Sequence, residues 1–379
     1  MRQTHKPGFL MTANWDSGVG YAWWLMESYW AVLAGVYDGR YSCYLAFPTI
    51  SAIPENLTQA PVKIVREDFS SFDAKLLRQT LFVIKHRIKV IYFSDKPVRH
   101  WSYILFRLVG VRKIVVHDHT PGMRTPPSGI KKFLKRLLLS IPGIKADVCI
   151  GATNFVRKRL VDVACVPADR CFAVPNGVST DLPHQESVHQ RFNIPEDRKV
   201  IVTAARANRY KGGFFALEVL AELSKNGCDN WHYVYMGDGP DLAELIQHAE
   251  ELGLGAQVTF PGRVNNVLGL LQTCHLAFHP SSGEVGYSLS ILEYMLCGLP
   301  VVVPDNPSVC GATKDGFTGL IYNEVSFESA AGALKKCLQD EADTKRMGQL
   351  AKKTVLDEFS LSRSHDQLRS IFLNFVQRP

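Results

Sequence analysis

Residues 284–322 read EVGYSLSILEYMLCGLPVVVPDNPSVCGATKDGFTGLIY. The stretch opens in a Gly-containing turn and passes into a helical pattern carrying one acid, Glu293. It breaks at Cys297-Gly298, runs through apolar residues 299–303, and ends in a second Gly-rich turn. Turn, helix and strand in that order predict a helix whose N-terminus opens at a sheet edge. Free N–H groups at such a start suit a phosphate. A carboxylate about one turn further along the same face suits ribose or sugar hydroxyls. An anion site beside a hydroxyl acceptor is the chemistry a nucleotide-sugar requires.

The surrounding pattern predicts the sheet. Apolar β-type runs at 200–204, 233–236, 258–260, 276–279 and 301–303 alternate with helical patterns at 213–225 and 241–252. Upstream, strand-like runs at 9–14, 41–47, 90–94, 113–117, 148–151 and 171–175 alternate with helical stretches such as 21–36, 98–110 and 130–139. Alternation of this kind predicts α/β architecture with parallel, doubly wound sheets. The polar, turn-rich segment 176–198 reads as a linker. The expectation is two Rossmann-like domains, 1–180 and 181–360, facing across a cleft, with a C-terminal helix in 361–379 crossing back to the first. Ligands of open α/β sheets sit at the carboxyl ends of the strands, so the cleft is where a ligand is expected.

Composition narrows the class. A chain of 379 residues, 46% hydrophobic and 21% charged, fits a globular protein of two domains. No apolar run of about 18 residues suggests a membrane span, and no signal peptide is expected at the N-terminus. Nine scattered cysteines lack CxxC or Cys/His zinc spacing and fit a reducing, cytoplasmic setting. Residues 1–180 carry 25 Lys+Arg against 12 Asp+Glu, whereas 181–379 carry 18 against 24. The first half therefore suits an anionic partner, such as a membrane surface or a phosphorylated acceptor. The helical stretch 130–139, with Lys131, Lys132, Lys135 and Arg136 among Phe133, Leu134, Leu137 and Leu138, fits either peripheral contact with an anionic membrane or a solvated helix with a buried apolar face. No nucleic-acid recognition motif accompanies the basic half.

Several constellations sit at predicted strand ends. Arg206 and Lys211 lie five apart in a strand-to-helix loop, where two cations can neutralise a diphosphate as it leaves. Gly237-Asp238-Gly239-Pro240 closes the next strand in a tight turn. Near the N-terminus, Gly18 and Gly20 follow the first strand and offer N–H groups to a phosphate, although the spacing is not GxGxxG. His117 and His119 stand at the end of another strand, suited to a sugar hydroxyl; no third ligand with metal-site spacing accompanies them. The aromatic run 21–30 fits core packing, with sugar stacking or a membrane-facing stripe as the alternative.

Together these residues resemble the retaining glycosyltransferases of family 4, which have the GT-B fold. Arg206 and Lys211 match the family's Arg…Lys-Gly loop, and 237–240 its GDGP turn. Residues 175–178 resemble its PNGV segment, and 286–300 its E-x7-E helix with the CGxP that follows. One departure stands out. The family's first Glu falls on Val285, and Glu284 is one residue early. The resemblance implies a hexosyltransferase using a UDP- or GDP-sugar, with no cofactor and no essential metal. It implies catalytic roles for Arg206, Lys211, His117 and Glu284, with ribose held by Glu293. It also implies donor contacts from Gly18, Gly20, Gly237, Gly286, Tyr287, Ser288, Leu289 and Ser290. The acceptor is expected to be a glycan or lipid-linked molecule of surface polysaccharide or glycolipid synthesis, met at the inner face of the membrane. Two alternatives stay open: a catalytically silent nucleotide-sugar binder, and a sugar-nucleotide epimerase of similar architecture.

Overall fold

The computed structural model describes residues 6–19, 23–72 and 75–376. The chain separates into two compact units. One comprises residues 1–120, 124–176 and 362–379, the other 121–123 and 177–361.

The first unit is built on seven parallel strands: β1 (Gly8–Thr12), β2 (Ser42–Phe47), β3 (Lys63–Arg66), β4 (Ile88–Ser94), β5 (Lys113–Asp118), β6 (Val148–Gly151) and β7 (Cys171–Ala173). Their spatial order is β3-β2-β1-β4-β5-β6-β7. The second unit has six: β8 (Lys199–Ala204), β9 (Trp231–Met236), β10 (Val258–Gly262), β11 (Leu276–Phe278), β12 (Val301–Pro304) and β13 (Gly319–Tyr322), in the order β10-β9-β8-β11-β12-β13. Both sheets therefore start at a central strand, grow one way, then reverse. The reversal points, β1/β4 and β8/β11, are where two helices depart in opposite directions and leave a crevice for a ligand.

Near-continuous apolar runs become central strands because both faces of each sheet are covered. In the second unit one face packs Leu217, Leu220, Trp231 and Tyr233 against helices Gly213–Lys225 and Phe327–Gln339. The other packs Val200, Val202, Ile291 and Met295 against helices Leu289–Leu296 and Glu341–Glu358. Among the elements that the sequence reading did not name are β3, β13 and the helix Phe327–Gln339. β3 is an edge strand of four residues (KIVR), two exposed and two half-buried, too short and too polar to show a period. β13 is four residues directly after a Gly turn. The segment 176–198, read as a linker, holds a one-turn helix, Val188–Phe192, begun by Ser187, whose side chain accepts from the Gln190 N–H.

Besides its apolar packing, the Leu289–Leu296 helix is hydrogen-bonded to β8 through Tyr294. The Tyr294 hydroxyl accepts from the Ala204 N–H at 2.5 Å and donates to the Ala204 carbonyl at 3.1 Å, fully buried. Tyr294→Phe removes both bonds without changing the packing. We expect it to cost about 1–3 kcal/mol, the usual effect of stranding buried polar groups, read as a fall in the denaturant midpoint with unchanged m-value.

Candidate functional site

The crevice at β8/β11 collects most of the residues singled out from sequence. After Ala204 the chain turns through exposed Arg206 into the short 3-10 turn Arg209–Lys211. Gly212 follows at φ 76°, where a side chain would collide with the Pro280 carbonyl. Beside this loop runs the 237–240 turn. A Cβ at Gly237 would overlap the Ala205 carbonyl, and one at Gly239 the Ala207 carbonyl. Two backbone bonds, Ala205 N–H to Met236 O at 3.1 Å and Ala207 N–H to Asp238 O at 3.0 Å, zip the loops together. The glycines are thus required by close backbone approach.

From β11 comes the acid. Lys211 Nζ lies 2.5 Å from Glu284 Oε1, and both side chains are nearly buried, 14% and 10% exposed. The same oxygen meets His279 Nε2 at 3.1 Å, and that nitrogen is 3.3 Å from Ser288 Oγ. Ser288 in turn caps the Leu289–Leu296 helix by accepting from the Ile291 N–H at 3.2 Å. The backbone around Glu284 is held at both ends: its N–H reaches Ser308 Oγ, and its carbonyl accepts from Gly122 N–H at 2.9 Å. Burial alone would raise the Glu284 carboxyl, but the Lys211 ammonium and the His279 hydrogen bond outweigh it and hold it at about 2. Burial lowers His279 despite the neighbouring carboxylate, so the imidazole is neutral at pH 7.

Glu293 stands in the second turn of the same helix, buried at 8% exposure. Gly286 takes φ 116° and exchanges backbone bonds with the 308–311 turn, donating to Ser308 O and accepting from Gly311 N–H. Leu289 and Ser290 are half-buried in the helix's first turn. Val285 is half-buried, and the carboxylate at this turn comes from Glu284 instead. Tyr287 is turned inward, its ring 5.2 Å from that of Phe359. The sequence reading missed His279. Its signal was a polar residue closing an apolar strand five positions before an acid.

In the first unit, His117 ends β5 fully buried, with Nδ1 2.5 Å from the Tyr92 hydroxyl and Nε2 lacking a hydrogen-bond partner. Its ring lies 4.1 Å from that of His119, whose two nitrogens are likewise unpartnered. Burial, then the neighbouring His119, holds His117 well below the ordinary histidine range, and burial brings His119 to about 4. Both rings are neutral at pH 7. Gly18 donates its N–H to Asp16 Oδ1 at 2.8 Å, so that donor is engaged within its own loop. Gly20 lies outside the described residues. Among the described residues no three His, Cys, Asp or Glu side chains converge as a metal site.

Because Glu284 is depressed on folding, it stabilises the fold fully above about pH 4.5, and that contribution is lost as pH falls toward about 2. We expect Glu284→Gln to be destabilised at pH 7, with the gap to wild type narrowing below pH 4.5, measured by urea midpoints across pH.

Residues 184–354 match the family described as Glycosyl transferases group 1. The chain is 28% identical over 187 residues to an alpha-D-kanosaminyltransferase of Streptomyces kanamyceticus, covering 49% of this chain and 48% of that protein. The chain thus spans about half the length of the first curated relatives it matches. Among solved structures, a glycosyltransferase from Rickettsia africae superposes with a TM-score of 0.77 at 14% identity, covering 99% of this chain and 100% of that one. The Anabaena HepE protein in complex with UDP-glucose gives 0.72 at 17% identity, with 97% and 99% covered. With a family match confined to residues 184–354 and a shared two-sheet architecture along the whole chain, this protein is similar over that segment to the glycosyl transferases group 1 family and has the GT-B fold.

Proposed function

We propose that this protein is a retaining glycosyltransferase of family 4 type. It transfers a hexose from a UDP- or GDP-sugar to a glycan or lipid-linked acceptor. The observation that carries this is the Lys211–Glu284–His279 cluster beside the capped start of the Leu289–Leu296 helix, at a reversal point of the sheet. Helix N–H groups at Leu289 and Ser290 receive the diphosphate. Arg206, exposed and without an ion-pair partner among the described residues, and Lys211 stabilise the charge that grows on it as the glycosidic bond breaks. Glu293 accepts from the ribose hydroxyls. Glu284 orients the donor sugar, with Lys211 and His279 holding its carboxylate ionised. His117, neutral, donates or accepts at a sugar hydroxyl. The leaving phosphate takes the acceptor proton, so no side-chain base is needed. The relative crystallised with UDP-glucose supports the nucleotide-sugar donor.

A second reading rests on one observation. Lys211 is already neutralised by a buried carboxylate, which suits a protein that binds nucleotide-sugar without turning it over. Thermal shift and product release across UDP-, GDP-, ADP- and dTDP-sugars, with EDTA present, separate the two. For the transferase, one nucleotide family binds and releases its diphosphate. Glu293→Ala then weakens nucleotide binding about tenfold or more, and Lys211→Ala lowers kcat about 10²-fold or more. Binding without release, even with crude membrane glycolipid added, selects the silent binder. No binding at all sinks both.

We place the reaction at the cytoplasmic face of a membrane. The Gly129–Ser140 helix buries only Leu139 and exposes Ile130 (78%) and Phe133 (64%) together with Leu134 and Leu137, amid Lys131, Lys132 and Arg136. A basic helix with an open apolar stripe matches an anionic lipid surface. None of the described helices is long and apolar enough to cross a membrane. Wild type should float with anionic liposomes, and Phe133→Ser with Leu137→Ser should not; equal flotation of both would remove the membrane contact.

A further inference from the structure

A cavity of about 560 Å³ opens at the carboxyl edge of the first sheet, beyond the ends of β4 and β5. Asp95, Lys96, Arg99, Asp118, Arg124 and Lys135 line it. The acids there are largely spoken for. Asp118 Oδ2 pairs with the buried Arg159 guanidinium at 3.1 Å, which also donates to the Thr120 carbonyl at 2.6 Å. Asp95 accepts the His119 N–H at 2.6 Å, and burial pushes its carboxyl up to about 7. The cations are not offset in the same way. Among the described residues no salt bridge joins Lys96, Arg99, Arg124 or Lys135 to a carboxylate, although Asp68 and Asp95 lie near enough to Lys96 to favour its charge. These cations donate instead to the Ser70, Lys135 and Val163 carbonyls and to the Thr120 hydroxyl.

That arrangement is costly without a ligand. Burial pushes Lys96 down to about 8, which measures how poorly its charge is solvated. Asp95, next to it, is held at φ 53°, in the left-handed region that a non-glycine residue seldom occupies unless its surroundings demand it. Two guanidinium forks and two ammonium groups around one cavity match the oxygens of a phosphate better than a single carboxylate. A volume of this size takes a phosphate together with the group that carries it.

We infer that this cavity is an anion subsite that binds the phosphate of the acceptor, with Arg99 and Arg124 as the clamping residues and Lys96 and Lys135 completing the charge. Naming the anion as the acceptor's rests on the transferase reading; the phosphate site itself does not. The shared chemistry is a phosphate ester, carried either by a soluble phosphorylated sugar or polyol or by a lipid head group. Lys135 belongs to the same helix whose outer residues are exposed and apolar, so both sources are reachable.

The test uses the full chain with three probes: inorganic phosphate, glycerol 3-phosphate, and phosphatidylcholine vesicles containing phosphatidic acid. Calorimetry and thermal shift read the soluble probes, and flotation reads the vesicles. Wild type should bind glycerol 3-phosphate or the vesicles saturably. Arg99→Gln with Arg124→Gln should weaken that binding at least tenfold, while Lys131→Gln with Lys132→Gln, equal in charge lost but outside the cavity, should leave the soluble binding unchanged. If the double variant unfolds, Arg124→Gln alone, at an exposed position, is read in its place. Saturable binding of glycerol 3-phosphate assigns a soluble phosphate ester. Binding confined to vesicles and lost with Arg99 and Arg124 assigns a lipid head group. The inference is overturned if no probe binds saturably, if glycerol 3-phosphate binding survives the Arg99/Arg124 change, if binding is confined to vesicles and survives that change, or if the Lys131/Lys132 control weakens soluble binding equally. UDP binding is measured alongside. Its absence with phosphate binding intact counts against the transferase alone, and the converse against this subsite alone.

Discussion

The buried ion pair between Lys211 and Glu284 is the contact on which the second unit's site depends. It joins the loop after β8 to the turn after β11, at the point where the sheet reverses direction. Glu284 is also the junction of several other constraints: His279 and, through it, the helix cap Ser288 on the side-chain side, Ser308 and Gly122 on the backbone side. Removing one partner of such a pair leaves an uncompensated buried charge, typically costing about 3–5 kcal/mol. The pair is therefore a clamp on two loops. Under the proposed function, a diphosphate at the helix start competes for the same ammonium.

The two units solve the same topological problem with different chemistry. Each has a parallel sheet reversing between its first and fourth strands. In the second unit the crevice holds one well-paired acid–base cluster and tight glycine contacts. In the first, the carboxyl edge carries the buried His117 and the half-buried His119, both neutral, and, beside them, cations in excess of acids. The net positive charge of the first half is thus not spread evenly over solvated surface. Part of it lines a cavity and part lies on a helix with exposed apolar residues. Both features suit a partner that is anionic at one end and apolar at the other.

Much of the site was legible because strand-to-helix loops announce themselves locally. An apolar run ending in Ala205-Arg206, with Lys211-Gly212-Gly213 beyond it, places two cations at a carboxyl edge from local pattern alone. The helix bearing Glu293 was readable from its flanking turn and the Cys297-Gly298 break. His279 was not, because a histidine at a strand end looks the same whether it faces solvent or a buried acid. Tyr294 was not, because its hydroxyl bonds span 90 residues of sequence. The Gly18 loop read as an open set of N–H donors, yet the Asp16 carboxylate folds back onto it, a local contact that competes with any ligand and that composition cannot rank.

By itself the sequence determined the alternation of strand and helix, hence parallel sheets, hence the strand ends where ligand chemistry must lie. Those features follow from short-range periodicity and from turn residues whose backbone freedom is intrinsic. Only the tertiary structure decided which carboxylate meets Lys211, which histidines are buried and neutral, and which basic residues converge on a cavity rather than on solvent. These depend on distances between segments far apart in the chain and on the desolvation that packing imposes, neither of which any window of sequence contains.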